Sequence, residues 1–448
     1  MSNTVRLNAA FPDISESDRY WERASGLIPA GTQTLAKGPG QYVFGVAPKY
    51  LARGKGARVW DVDGNEFIDY NMGIGPISLG YAYDRVDEAV RRQLESGITF
   101  SLMHPLEVEV AELVQSVVPN TESVRFSKTG CDVTSAAIRL ARAFTGRDRI
   151  LCCGYHGWHD WYIATTDRAR GIPHDVRNLT YTFEYNDVGT LEEALDDSIA
   201  AVILEPVVFE PPKDDFLHRL RKLCDRHGTL LIFDEMWTGF RLALGGAQEY
   251  FNVRADLACF SKAMANGMPI SVLTGRRDVM SLLEQDVFFF TTFGGEALSL
   301  AAAKATIEEM REHNVTHALA IRGQQLKQGY NRLAFELDMP YTHCVGMDCR
   351  NMVVFDASAG DPLLLKSFVQ QEMIRRGILW SAFHNMSYSH TDDDVRYTLD
   401  AYADVLRTLR QAVADGTVRD QLRGRPVEPV FRKVSRFNSR PKVQKPAV

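Results

Sequence analysis

Thr229-Leu230-Leu231-Ile232-Phe233-Asp234 is an apolar run that ends on a carboxylate. A second run, Asp256-Leu257-Ala258-Cys259-Phe260-Ser261-Lys262, ends on an ammonium group. Both are short and continuously apolar, the pattern of strands buried on two faces. A charge at the end of such a strand needs a reason, because an unpaired ion beside an apolar core is costly. Taken alone, Lys262 reads as a lysine reaching from a strand end to water. Asp234 alone reads as a helix cap or a structural carboxylate. Together they point to a site, since a lysine amine held in an apolar pocket forms Schiff bases with aldehydes.

Working outward, the same alternation extends on both sides. The pattern predicts a helix near 106–118, a strand at 122–127 and a helix at 132–145, then strands at 149–153 and 200–204. A helix near 214–227 leads into the 229–234 run. Apolar runs at 256–260 and 270–274 precede a helix at 297–312. Short apolar strands separated by amphipathic helices imply an α/β domain with a mostly parallel sheet. Ligands on such sheets sit at the carboxyl ends of the strands, where Asp234 and Glu235 fall. After about residue 315 come a long helix, short strands around 344–355 and helices at 361–376 and 391–414, the texture of a smaller α+β domain.

The expected organisation is an N-terminal arm over 1–60, a large domain over 61–313 and a small C-terminal domain over 314–422. A basic, proline-containing tail over 423–448 is expected to lack fixed structure, with eight Lys/Arg, one Glu and four Pro. Asp63-Gly64 joins Arg58–Val62 to Glu66–Tyr70 as a hairpin. Asp61-Val62-Asp63-Gly64 is not a calcium loop, because its glycine comes too early, and Gly73-Ile74-Gly75 lacks the third glycine of a dinucleotide fingerprint.

The 448 residues carry a formal net charge of −6, which gives no reason to expect nucleic acid or an anionic membrane as partner. No apolar run is long enough to span a bilayer, and the N-terminus lacks a signal-peptide core. Seven irregularly spaced cysteines, with Cys152 and Cys153 adjacent, offer no metal spacing and read as reduced thiols of a cytoplasmic protein. No metal is expected.

A phosphorylated pyridine aldehyde needs a lysine, a carboxylate for its ring nitrogen, a flat group on its ring and a phosphate cradle. Lys262 and Asp234 supply the first two. Tyr155-His156-Gly157 follows the 149–153 strand and offers a ring to stack. Phe126-Ser127-Lys128-Thr129-Gly130-Cys131-Asp132 runs from strand to helix through a glycine, placing free amides and a helix dipole where a phosphate would sit. Thr291-Thr292-Phe293-Gly294-Gly295 offers a second such turn.

In order and spacing, Tyr155-His156-Gly157, Asp234-Glu235-Met236-Trp237-Thr238-Gly239-Phe240-Arg241, Ser261-Lys262 and Thr292-Phe293-Gly294-Gly295 resemble the class III pyridoxal-phosphate aminotransferases. The glutamate-1-semialdehyde aminomutase branch is the most similar. Ala137–Arg147, Tyr185-Asn186-Asp187, Gly245-Gly246-Ala247-Gln248 and His390-Thr391-Asp392 extend the likeness over roughly 25–415. The resemblance implies fold type I with a seven-stranded sheet, pyridoxal 5'-phosphate as cofactor and an obligate homodimer. It implies Lys262 as covalent anchor and proton-moving base, Asp234 on the pyridine nitrogen, Tyr155 stacked on the ring with His156 beside it, and Met236 on the opposite face. Gly130 and Cys131 would cradle the phosphate, joined by Thr292 of the partner subunit. Glu205 would shape the substrate pocket.

Four departures stand out, and the last two bear on the outcome. Cys131 stands where the family has a hydroxyl, and Glu296-Ala297 where it has Asn-Pro. Lys37 stands where aminomutases hold the substrate carboxylate with arginine, and lysine lacks the bidentate grip. The Trp158–Glu184 segment is about ten residues shorter than the aminomutase loop that retains the intermediate. The expected reaction is therefore transfer of an amino group from an amino-acid donor to a small carbonyl acceptor by a ping-pong route. Intramolecular 2,1-aminomutation is the alternative. A racemase, a decarboxylase and a non-catalytic cofactor-binding protein rank lower. Trp158, Trp161, Trp237, Trp380 and His384 in or beside the site segments suggest a cyclic or sugar-like ketone.

Overall fold

A computed structural model describes residues 10–207 and 209–429. These form two compact units, one spanning Arg85–His313 and the other built from the described residues before Arg85 and after His313.

In the unit made from the two ends of the chain, β1 (Leu51–Lys55), β2 (Arg58–Asp61) and β3 (Glu66–Asp69) form an antiparallel meander. Its turn is held by Asp61, whose Oδ1 accepts the Asp63 and Asn65 N–H groups at 3.1 and 2.7 Å, with Gly64 at φ +90°. The Asp63 carboxylate accepts the N–H groups of Glu16 and Ser17, capping helix Ser15–Leu27. The acidic turn thus serves backbone amides. A two-residue strand, Ile378–Leu379, lies parallel to β3 and completes the sheet. That pairing explains why residues 61–84 belong with the C-terminal elements, whereas the sequence reading starts the large domain at 61.

The Arg85–His313 unit carries seven strands: β4 (Ser123–Ser127), β5 (Arg149–Cys153), β6 (Thr180–Thr182), β7 (Ile199–Leu204), β8 (Leu230–Asp234), β9 (Leu257–Phe260) and β10 (Ser271–Gly275). Their order is β4-β10-β9-β8-β7-β5-β6. β7, β8 and β9 are buried along their whole length, which is why they read as unbroken apolar runs. Helix Gly130–Thr145 packs Ala137, Ile138, Leu140 and Ala141 into the core with Ile203, Ile232 and Cys259. All pairings are parallel except those of β10, which is antiparallel to both β9 and β4. Two reversals leave β4 pointing with the rest. Six strands therefore end along one edge, and five of them are followed by the 128–130 turn, Tyr155-His156, Glu205, Glu235 and Ser261-Lys262.

The remaining strands are β11 (Thr342–Met347), β12 (Arg350–Phe355), β13 (the Ile378–Leu379 strand) and β14 (Phe383–Asn385), with β11, β12 and β14 forming an antiparallel sheet. The His390-Thr391 motif is structural here. His390 stacks on Tyr70 at 4.7 Å, and Thr391 with Asp394 makes the capping box of helix Asp392–Ala414. The first part of the predicted tail has fixed structure. The backbones of Arg425 and Phe44 pair, Val427 is buried, and the Glu428 N–H donates to Gly40. The rest of that predicted segment, 430–448, lies outside the described residues.

Candidate active site

Asp234 closes β8 and is almost fully buried. Its Oδ2 lies 2.8 Å from His156 Nδ1, and its Oδ1 accepts the Met236 N–H at 3.1 Å. His156 Nε2 donates to the Cys153 carbonyl at 3.1 Å, so the imidazole is braced between two strands. Next to it, Tyr155 is set by its backbone. Its N–H donates to Glu205 Oε1 at 2.7 Å, and its ring meets Tyr162 edge-on. Gly154 is needed there, because a Cβ would stand 2.9 Å from Glu205 Oε1 and φ is +104°. Glu205 thus holds the tyrosine backbone, a role the sequence does not reveal.

Lys262 opens a short 3-10 turn with φ +43°, an uncommon conformation for a non-glycine residue and one concentrated at functional sites. Its Nζ lies 4.0 Å from the centroid of the Trp237 ring, a cation–π contact between a half-buried lysine and a buried indole. The adjoining Glu235 is fully buried and faces away to the Thr238 hydroxyl and the Ala247 and Gln248 amides. Burial pushes its carboxyl up to about 7.

At the start of helix Gly130–Thr145, Asp132 Oδ2 accepts the Ser127 hydroxyl and the Thr129 N–H, each at 2.8 Å, and Thr129 caps in return. The Gly130 and Cys131 amides find no acceptor among the described residues and remain free at the helix N-terminus. A Cβ on Gly130 would meet Met236 Sδ at 2.9 Å, and one on Gly157 would meet Cys131 Sγ at 2.5 Å. The turn is therefore closely packed against both neighbouring segments. Thr134 adds a bond to the His156 carbonyl at 3.0 Å. Burial raises the Cys131 thiol, which keeps it protonated and a weak donor.

The remaining predicted residues have the following surroundings. Thr292 is exposed in the turn before helix Ala297–Glu312. Trp158 is 69% exposed. Lys37 and Trp380 belong to the other compact unit, Lys37 exposed and Trp380 wholly buried. His384 is buried in that unit too, bonded to Asn351 and Tyr402. Trp161 is buried with its indole N–H on Ser135. Among the described residues, one group gathers three metal-type ligands, Glu309, Glu312 and His313. Arg85 already lies 2.7 and 2.6 Å from its two carboxylates.

A lysine and a buried, histidine-braced aspartate on adjacent strands, with a glycine turn at the same sheet edge, are what a phosphorylated pyridine aldehyde requires. Residues 45–342 match the class-III aminotransferase family. The chain is a class-III aminotransferase family member. At 34% identity it resembles the 3-aminobutyryl-CoA aminotransferase of Cloacimonas acidaminovorans (strain Evry), over 89% of this chain and 98% of that protein. It is 35% identical to a glutamate-1-semialdehyde 2,1-aminomutase of Acetivibrio thermocellus, over 86% of this chain and 96% of that one. Among solved structures, the pyridoxal-phosphate form of the FumI protein of Sphingopyxis sp. MTA144 superposes with TM-score 0.83 at 30% identity, covering 89% and 97% of the two chains. The fold is that of fold type I, and the cofactor of this class-III enzyme is pyridoxal 5'-phosphate. The donor set fits that group: one lysine amine, one buried carboxylate, one aromatic ring and two free amides at a helix start. Among the described residues no helix is long and apolar enough to cross a membrane.

Proposed function

We propose that this class-III enzyme is an aminotransferase that moves an amino group from an amino-acid donor to a small carbonyl acceptor. The observation that carries the reading is Asp234, buried at the end of β8 with His156 at 2.8 Å, one strand away from Lys262. Bound pyridoxal phosphate supplies an electron sink for the carbanion at the amino-bearing carbon. Asp234 keeps the ring nitrogen protonated, and His156 fixes the orientation of its carboxylate. Lys262 Nζ would hold the cofactor covalently and would serve as the base that takes and returns the proton at the amino-bearing carbon. Tyr155 stacks on the ring, held in place by Glu205, and Met236 closes the side next to Gly130. The Gly130 and Cys131 amides cradle the phosphate, with Thr292 of the partner subunit completing the cradle. The exposed Phe288, Phe290 and Phe293 around Thr292 suit burial in a homodimer. We place the enzyme in the cytoplasm.

Transfer is preferred over aminomutation because Lys37 can attract a carboxylate but cannot clamp it. The short 158–184 segment, with only two four-residue helices, adds to that preference. The aminomutase relatives keep the second reading alive. Single-turnover chemistry separates the two: transfer requires an external keto acid, whereas isomerisation of one substrate without any acceptor makes the enzyme a mutase. The case for a ring-shaped acceptor rests on exposed Trp158 and on Trp237 beside Lys262 Nζ, since Trp161, Trp380 and His384 are packed. Lys262→Ala should abolish the visible absorbance of the purified protein; an unchanged spectrum would refute the cofactor assignment.

A further inference from the structure

Lys128 and Glu296 stand between the turns that surround Lys262, and the function just described uses neither. Lys128 Nζ lies 2.6 Å from Glu296 Oε1 and donates to the Pro269 carbonyl at 3.2 Å. Ser299 Oγ reaches the same carbonyl at 3.1 Å. Glu296 in turn caps helix Ala297–Glu312, accepting the Leu298 N–H at 2.8 Å and the Ser299 N–H at 3.1 Å. The two side chains are only 19% and 10% exposed. One ion pair thus joins three segments. They are the 127–132 turn, the loop that follows the Lys262–Ala265 turn, and the turn that ends at Glu296.

Exposed ion pairs contribute little to stability. This one is mostly covered, and both partners are tied to backbone, so removing one strands the other. Lys128 is also poorly placed to act on an anion. Two of its three donors are directed to Glu296 and Pro269, and Glu296 neutralises its charge. Glu296 is one of the positions where the chain departs from its family.

We propose that Lys128 and Glu296 are positioning residues whose ion pair sets the span between the Gly130-Cys131 turn and the Lys262 segment. The phosphate grip and the lysine then meet one cofactor at the right separation. The inference rests on the reading that the Gly130 turn cradles the phosphate.

The test is equilibrium titration of full-length protein, freed of cofactor, with pyridoxal phosphate and separately with pyridoxal, which lacks the phosphate. Lys128→Met and Glu296→Gln should each weaken pyridoxal phosphate about tenfold while leaving pyridoxal affinity unchanged. The double variant should be no weaker than either single one. Three results would overturn the proposal. Tighter binding by Glu296→Gln would make a freed Lys128 the phosphate ligand. Equal losses for both ligands would make the pair merely structural. Unaltered affinities would remove it from the site. Gly130→Val, measured alongside with melting as a check on folding, keeps the two readings apart. If a folded Gly130→Val protein binds pyridoxal phosphate normally, the cradle assignment itself fails.

Discussion

His156 faces an acceptor on each side of its ring. The Cys153 carbonyl has no proton to give, so Nε2 donates there, and Nδ1 lies 2.8 Å from Asp234 Oδ2. Removing the carboxylate leaves that buried nitrogen without its partner. Asp234→Ala should therefore destabilise the protein by about 3 kcal/mol in urea unfolding, besides abolishing turnover. A loss below about 1 kcal/mol would mean the pair is not held as described. At this scale the sequence was legible wherever a residue type is itself unusual for its place. Lys262 and Asp234 stand out as charges at the ends of apolar strands. The His156–Asp234 and Glu205–Tyr155 contacts are invisible by contrast, because each runs across the sheet rather than along the chain. Trp380 shows the opposite failure: a tryptophan near a motif carries no sign of whether it faces a ligand or a core.

Glu235 organises the turn after β8. Its carboxylate accepts two amides from Ala247 and Gln248, and Gly246 bends past it at φ +75°. A Cβ on Gly246 would stand 2.4 Å from Glu235 Oε2. Gly246→Ala should therefore cost about 2–3 kcal/mol, combining backbone strain and overpacking, readable as a lowered midpoint in thermal melts. Because burial raises this carboxyl from 4.5 to about 7, the native state binds its proton more tightly than the unfolded chain does. Its effect on stability is nil well below pH 4.5 and grows unfavourable as pH rises through about 7, reaching on the order of 3 kcal/mol. Glu235→Gln should flatten that part of the stability profile. Elements with long, regular patterns were legible in advance. Helix Ala297–Glu312 matches the predicted 297–312, and β5 the predicted 149–153. β6 is three residues long and gives no periodic signal. The antiparallel direction of β10 is also unreadable, because an apolar run looks the same from either end.

For the whole molecule, the two compact units should answer pH in opposite senses. Burial holds the imidazoles of His384 and His390 down to about 3 and about 4. Both belong to the unit made from the chain ends. Below their ordinary value of 6.5 the unfolded chain takes up protons that this unit refuses, so it loses stability as pH falls from there toward 4. Over much of that range the Arg85–His313 unit gains stability through Glu235. Hydrogen exchange corrected for intrinsic rates should show helix Asp392–Ala414 losing protection at pH 5 relative to pH 7 while β8 gains it. Changes of the same sign in both would refute the prediction. The division into units was the part of the architecture least legible in the sequence. It depends on β13, two residues far down the chain, choosing β3 as its neighbour.

That choice has a consequence in time. During synthesis the Arg85–His313 unit is complete once its last residue leaves the ribosome, whereas β3 waits for β13, more than 300 residues behind it. At ordinary rates of translation the wait is on the order of tens of seconds. Through that interval the meander carries an open edge, the feature that invites pairing with a foreign strand. The nascent chain should therefore bind a chaperone through residues 51–69, and release it only when the C-terminal strands emerge.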